Sequence, residues 1–259
     1  MARPTNPIGS RREARESALA ILYAAESRGE GLLEVLATQP VPPGGYVIEI
    51  VEGLAVEACV HDLGVGKFGL RNVLFPVGDT LLEVVSPVED GTAAGRHLVR
   101  RGGDGGYMVI VQTDDLEGLG GRLDDLAVRV VQEARMGGIR GRHLHPADVG
   151  GAILSVDEAD DWTDWPWAGP DWREHRRTEL VSGIVAVEIQ ADDPTAMAER
   201  WGGVLGRQVD GTVVRLDDGE VRFLAVMDDR GEGLAGVEVR AHRDADLEIG
   251  GVRFALRTA

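Results

Sequence analysis

The feature that most constrains the fold is a repeated order of one strand, one helix and three strands. The complete order runs over residues 106–157. Residues 57–87 carry only its last three strands, and the order returns over residues 183–241. Repetition with a period of about 50–70 residues is typical of chains built from copies of one structural unit. The sequence therefore predicts an α+β fold of repeated βαβββ modules, of which the first is truncated.

Local patterns support each type of element. Leu116, Leu119 and Leu123 recur at helical spacing, and Asp193 followed by Pro194 is a typical helix start. Short apolar or alternating runs between Gly, Asp and Pro residues predict strands. We expect helices at 115–127 and 193–206, a short helix or ordered loop at 90–102, and strands at 57–62, 71–78, 80–87, 106–116, 128–135, 140–148, 150–160, 183–193, 212–219, 220–228, 233–241 and 247–257.

Composition excludes several classes of protein. The formal net charge of −17 argues against a general nucleic-acid binder, because affinity for phosphate backbones depends on clustered Lys and Arg. Cys59 is the single cysteine, so the chain can form neither an internal disulfide nor a cysteine-built zinc site. No apolar run approaches the roughly 18 residues of a spanning helix. We expect a soluble, cytoplasmic protein with no membrane partner.

Residues 72–116 and 140–172 resemble the vicinal-oxygen-chelate superfamily, which includes glyoxalases, bleomycin-resistance proteins and dioxygenases. The resemblance covers residues 55–257. It implies paired βαβββ modules that enclose a cup, where a divalent metal often holds a substrate through neighbouring oxygens. It also implies metal-assisted lyase, isomerase or dioxygenase chemistry, with ligands from the first and last strands of each module.

The residues at those ligand positions match the family only in part. Glu83 stands where the last strand of the first module usually provides a carboxylate. Met108 and Ser155 stand where the second module usually offers a His and a Glu, and the first strand of the first module is missing. A single matching position is too few for a metal site, so we expect weakened or lost catalysis.

A second candidate cluster surrounds two histidines. His143 and His145 face the same way if their segment is a strand, because side chains alternate between the two faces of a strand. They could hold a metal or, with Arg142, an anionic substrate, and a purely structural role is the alternative. We predict that Glu83, Arg142, His143 and His145 bind substrate. Glu83 and His145 are the candidate ligands for a divalent metal.

The N-terminal segment resembles a different family. Residues 9–53 are similar to the opening helices of the antitermination factor NusB, whose later helices this chain lacks. That resemblance implies RNA contact through Arg11, Arg12 and Arg15, alongside antitermination partners. The alternative is a helix with an ordinary charged face, because acidic side chains outnumber the arginines of this segment.

The junction between the two resemblances is ambiguous. The β-branched residues of 46–54 favour a strand, whereas Ile50, Val51 and Leu54 fall on one helical face. Our hypothesis is that this segment forms a helix in place of the lost helix of the first module. The first strand would then remain unreplaced, which would leave an open sheet edge.

These patterns divide the chain into four parts: a NusB-like fragment (1–53), two glyoxalase-like modules (54–158), a tryptophan-rich linker (159–182) and a third module (183–259). The leading hypothesis is a glyoxalase-like protein that binds a small oxygenated or anionic metabolite. One alternative is an RNA-binding, antitermination-type factor. Another is a non-catalytic protein that sequesters its ligand. A homodimer is compatible with all three.

Overall fold

The computed structural model describes residues 46–59 and 63–258. Arg11, Arg12 and Arg15 lie outside these ranges, so the NusB-like segment and its RNA contacts stay predictions. Within the described ranges no helix is both long enough and apolar enough to cross a lipid bilayer.

Helix α1 (Tyr46–Leu54) resolves the ambiguous junction in favour of a helix. Ile50, Val51 and Leu54 are buried, as expected for one apolar face. The helix ends where Ala55 takes a positive φ of 52°, a conformation that a right-handed helix does not allow. The helical part of the junction hypothesis is confirmed.

Strands β1 (Leu70–Val77) and β2 (Thr80–Pro87) form a two-stranded antiparallel ribbon. Gly78 begins its turn with φ 63°, and a Cβ atom there would lie 2.0 Å from the carbonyl oxygen of Ser182. Only glycine fits this close approach.

The prediction of a strand at 57–62 is wrong for residues 57–59, which are the described part of that segment. Residues 57–59 belong to no strand. The amide of Cys59 donates one hydrogen bond of 2.9 Å to the carbonyl of Leu74, and its side chain packs beside Leu74 and Trp172. Among the described residues this contact is not extended into a strand ladder.

The next module is complete and follows helix α2 (Ala93–Arg100). Its elements are β3 (Met108–Gln112), α3 (Leu116–Asp125), β4 (Val130–Met136), β5 (Ile139–Leu144), α4 (Pro146–Val149) and β6 (Ile153–Ala159). The four strands lie in the order β3-β6-β5-β4, with β3 parallel to β6 and the other pairs antiparallel.

The second half of the chain builds one seven-stranded sheet. Its elements are β7 (Val181–Ala191), α5 (Pro194–Leu205), β8 (Val209–Asp210), β9 (Val213–Arg215), β10 (Glu220–Ala225), β11 (Gly233–Ala241), β12 (Ala245–Ile249) and β13 (Val252–Arg257). The strands lie in the order β12-β13-β11-β7-β10-β9-β8. Strands β7 and β10 are parallel, like β3 and β6 of the preceding module, and β11 and β13 form a similar parallel pair without a helix between them. The chain is therefore an α+β protein of βαβββ-like modules, as the sequence predicts.

Two large apolar cores of the described residues hold the sheets together. The first joins helices α3 and α5 and contains Leu119, Trp201 and Phe223. The second joins α1 and the ribbon to β11 and β13. Helix α1 also contacts β12, so it covers the part of the seven-stranded sheet that has no helix of its own.

The ribbon keeps open edges, as the junction hypothesis expects, because among the described residues β1 and β2 pair only with each other. The linker between the modules is ordered: Trp172 is buried against Leu74 and donates a hydrogen bond of 3.0 Å from Nε1 to Asp164.

Candidate ligand cavity

A cavity of about 800 Å³ lies between the β1–β2 ribbon and the four-stranded sheet and extends toward the seven-stranded sheet. All five residues of β3 lie along the cavity, and Val109 also belongs to an apolar core. The lining is therefore a mixture of apolar side chains and a few polar groups.

Glu83 lies on the ribbon and lines the cavity, as the sequence-based prediction requires of a ligand-binding residue. Its carboxylate accepts a hydrogen bond of 2.7 Å from the Nδ2 atom of Asn72, which is itself buried. Burial raises the pKa of Tyr107, and the negative charge of Glu83 raises it further. Glu83 thus defines a negative side of the cavity, close to Tyr107.

His143 lines the cavity from β5, directly opposite Ser155 of the neighbouring strand. Burial lowers the pKa of His143, and the positive charge of Lys67 lowers it further. Lys67 also lines the cavity, from the short helical turn before β1, with its ammonium 5.0 Å from the centre of the Phe68 ring. An ammonium and a neutral imidazole thus lie together in the cavity lining.

Asp157 is a cavity residue that the sequence analysis missed. It is buried, and its carboxylate accepts hydrogen bonds from Ser155 Oγ at 2.5 Å and from Trp167 Nε1 at 2.8 Å. Burial raises the pKa of Asp157, while these two hydrogen bonds oppose the shift. The sequence could have indicated this pair, because residues 155 and 157 lie on the same face of a strand.

Arg142 and His145 do not line the cavity. Arg142 donates to the carbonyl of Leu116 at 2.7 Å and to Glu133 at 3.1 Å. The predicted strand at 140–148 ends at Leu144, and His145 begins α4 by accepting a hydrogen bond of 3.2 Å from the amide of Ala147. The i, i+2 geometry assumed for the two histidines is therefore wrong, because Pro146 starts a helix there.

No protein-family model and no curated protein matches this sequence. Solved structures do match it. Methylmalonyl-CoA epimerases from Streptomyces coelicolor and Mycobacterium tuberculosis each align with 44% of this chain at a TM-score of 0.39. The alignments cover 87% and 77% of those chains, with 23% and 21% identity.

A mutant of 4-hydroxymandelate synthase from Streptomyces coelicolor aligns with 76% of this chain and 66% of its own. The TM-score is 0.54 and the identity 14%. This chain has the vicinal-oxygen-chelate fold. The fold assigned from the sequence is thereby confirmed, while substrate and chemistry are separate questions, since one fold supports many activities.

The vicinal-oxygen-chelate fold often holds a divalent metal, but the donor set of this cavity does not fit one. The described residues contain no group of three or more His, Cys, Asp or Glu side chains placed to hold a metal ion. The two candidate ligands are not brought together, because Glu83 lines the cavity and His145 lies outside it. Asp157 is engaged by two donors at its two oxygens.

Proposed function

We propose that this chain binds a small, mainly apolar molecule with an anionic or oxygenated group in the cavity beside the β1–β2 ribbon. The observation that carries the proposal is the pairing of Lys67 with His143 on one side of an otherwise largely apolar space. Ligand pockets commonly combine an apolar lining with a few polar groups that orient the ligand.

The polar groups suggest how such a ligand would be oriented. The ammonium of Lys67 attracts an anionic group, and neutral His143 can donate or accept a hydrogen bond beside it. Glu83 carries the opposite charge on the ribbon, so it repels an anion from the Tyr107 side. The apolar part of the ligand would lie against side chains such as Leu74, Met108 and Ile110.

The proposed activity is binding, and no metal-assisted step is part of it. The described residues place no three His, Cys, Asp or Glu side chains together to hold a metal ion. Substrate binding by Glu83 and His143 belongs to this proposal. For Arg142 and His145 the proposal has no role, because neither side chain reaches the cavity.

Three six-carbon probes of different charge test the proposal: hexanoate, 1-hexanol and hexylamine. Titrations at pH 7.5 can follow tryptophan fluorescence, because Trp165 and Trp167 line the cavity. We expect hexanoate to bind about fivefold more tightly than 1-hexanol, as for one partly solvated ion pair, and hexylamine to bind most weakly.

The variant Lys67→Met should abolish the preference for hexanoate and leave 1-hexanol binding unchanged. Arg243→Met is the matched control, because it removes an exposed positive charge that does not line the cavity. Equal affinity of the native protein for all three probes would contradict the proposal. So would a preference for hexanoate that Lys67→Met leaves intact.

A further inference from the structure

The seven-stranded sheet carries a second set of charged residues, on the face turned away from the apolar cores. Val187, Val237 and Phe254 point to the cores. The adjoining positions of β7, β10, β11 and β13 form what we call the polar face, defined by Glu188, Arg222, Glu238 and Arg253. Strands β7 and β10 are the first and last strands of the module that contains α5. Strands β11 and β13 are the first and last strands of the repeat without a helix that follows it.

Gly236 allows the centre of the polar face to form. In the sheet, Glu188 lies opposite Gly236, and Gly236 lies opposite Arg253 on the far strand. A Cβ atom at Gly236 would lie 2.5 Å from Oε2 of Glu188. Because glycine has no side chain, the Glu188 carboxylate extends across β11 and forms an ion pair with Arg253.

The other arginine completes a continuous network. Arg222 donates from Nε to Glu220 at 2.6 Å and from Nη1 to Glu238 at 2.7 Å. Its Nη1 atom also lies 3.8 Å from Glu188. The hydrogen bond from Arg222 lowers the pKa of Glu238, so this carboxylate is ionised at neutral pH. Each of the two arginines therefore faces at least one carboxylate of the polar face.

We infer that this ion-pair network takes the place of a metal centre on the polar face. The resemblance to the vicinal-oxygen-chelate superfamily leads one to expect metal ligands on these strands, yet two of the four positions hold guanidinium groups. A guanidinium has no electron pair to donate and stays protonated. Arg222 and Arg253 supply positive charge to Glu188 and Glu238, so a divalent cation would meet carboxylates that are already neutralised.

The polar face is a metal-independent structural unit, and ligand binding is confined to the cavity beside the ribbon. The first statement does not rest on the proposed function, because it depends only on residues of the seven-stranded sheet. The two can therefore be tested separately.

Metal binding is measured on tag-free protein by equilibrium dialysis against Mn²⁺, Ni²⁺ and Zn²⁺, followed by elemental analysis. The native protein is compared with the double variant E188Q/E238Q. We expect no binding that depends on these carboxylates. Absence of binding, or binding that the double variant leaves unchanged, supports the inference. Stoichiometric binding that E188Q/E238Q abolishes would overturn it.

The structural role is measured by thermal unfolding of E188Q, R253Q and the double variant E188Q/R253Q. We expect E188Q to lower Tm by about 3 °C or more, and the double variant to lower it by less than the sum of the single changes. R243Q is the control, since Arg243 is exposed and lies outside the polar face, and it should shift Tm by less than about 1 °C. Strictly additive losses would contradict the network.

Should E188Q not fold, the same cycle on Glu238 and Arg222 tests the same network. Hexanoate titration of a folded polar-face variant separates the two proposals. Unchanged affinity supports the independence of the polar face, whereas loss of affinity in a folded variant would show that the polar face takes part in ligand binding. If the native protein does not bind hexanoate, the proposed function fails while the dialysis and unfolding results still decide the inference.

Discussion

The Nε2 atom of His97 lies 3.0 Å from the carbonyl oxygen of Gly106. Because a carbonyl oxygen can only accept, Nε2 carries the proton, and the other ring nitrogen accepts a hydrogen bond of 3.2 Å from Arg100. Burial lowers the pKa of His97 to about 4, and nearby arginines add to the shift against the opposing effect of the Gly106 carbonyl. This neutral imidazole joins α2 to the segment that leads into β3.

We predict that His97 makes stability depend on pH. The folded protein resists protonation of His97 until about pH 4, whereas the unfolded chain takes up the proton near pH 6.5. The contribution is therefore fully present above pH 6.5 and is lost as the pH falls from 6.5 to 4. Its size is about 3 kcal/mol of unfolding free energy.

Urea unfolding of the native protein and of His97→Gln from pH 7 to pH 4 measures this effect. Glutamine cannot titrate, so the difference in free energy between the two proteins should shrink as the pH falls. His242→Gln, at an exposed position, controls for the loss of one histidine. A difference that stays constant over this range would show that His97 is not held neutral.

Gly141→Ala should disturb the buried Asp157. A Cβ atom at residue 141 would lie 2.5 Å from Asp157 Oδ1, so the carboxylate must shift and its hydrogen bond from Trp167 must change. We expect a loss of about 1–3 kcal/mol and altered tryptophan fluorescence. Gly121→Ala, in α3 with no atom within 4 Å of the new methyl, should be neutral or stabilising by up to about 1 kcal/mol. Equal stability of the two variants would refute the steric argument.

Trp201→Ala should be among the most destabilising single substitutions in α5. Trp201 is fully buried and packs edge-on against Phe223, with ring centres 5.6 Å apart. Truncation leaves a large cavity, so we expect a cost of about 3–5 kcal/mol in chemical denaturation. Trp162→Ala, at a side chain that is 46% exposed, should change stability by less than about 0.5 kcal/mol. The idea fails if the two losses are similar.

Hexanesulfonate should bind more tightly as the pH falls below 7. Burial and Lys67 lower the pKa of His143, so its imidazole is neutral at pH 7 and becomes positive only at lower pH. The sulfonate stays ionised throughout, so the change reports on the protein. The variant His143→Leu should remove the pH dependence, measured by calorimetric titration between pH 7 and pH 5. A native affinity that is independent of pH would argue against anion binding next to His143.

Parts of the fold were predictable from local signals. The helix expected at 193–206 is observed as Pro194–Leu205, and Asp193 caps it by accepting a hydrogen bond of 3.0 Å from the amide of Ala196. The strand expected at 233–241 is observed with the same bounds. Capping and alternation act within a few residues, so the sequence reports them directly.

The candidate site was predictable only in part. Glu83 and His143 both line the cavity, but Arg142 and His145 do not. Arg142 alternates with His143 along β5, and β5 ends one residue before His145. Asp157 was missed because its burial depends on Ser155, on Trp167 of the linker and on the space above Gly141. Only strand pairing and the path of the linker bring these groups together.

The sequence by itself determined the modular α+β organisation, because each module is encoded by the periodicity of its own residues. The tertiary structure decided which charges meet. Glu188 and Arg253 are 65 residues apart, and their pairing depends on the order of β7, β11 and β13 and on the missing side chain of Gly236. Sequence spacing carries no information about such neighbours, since they are set by the register of separate strands in one sheet.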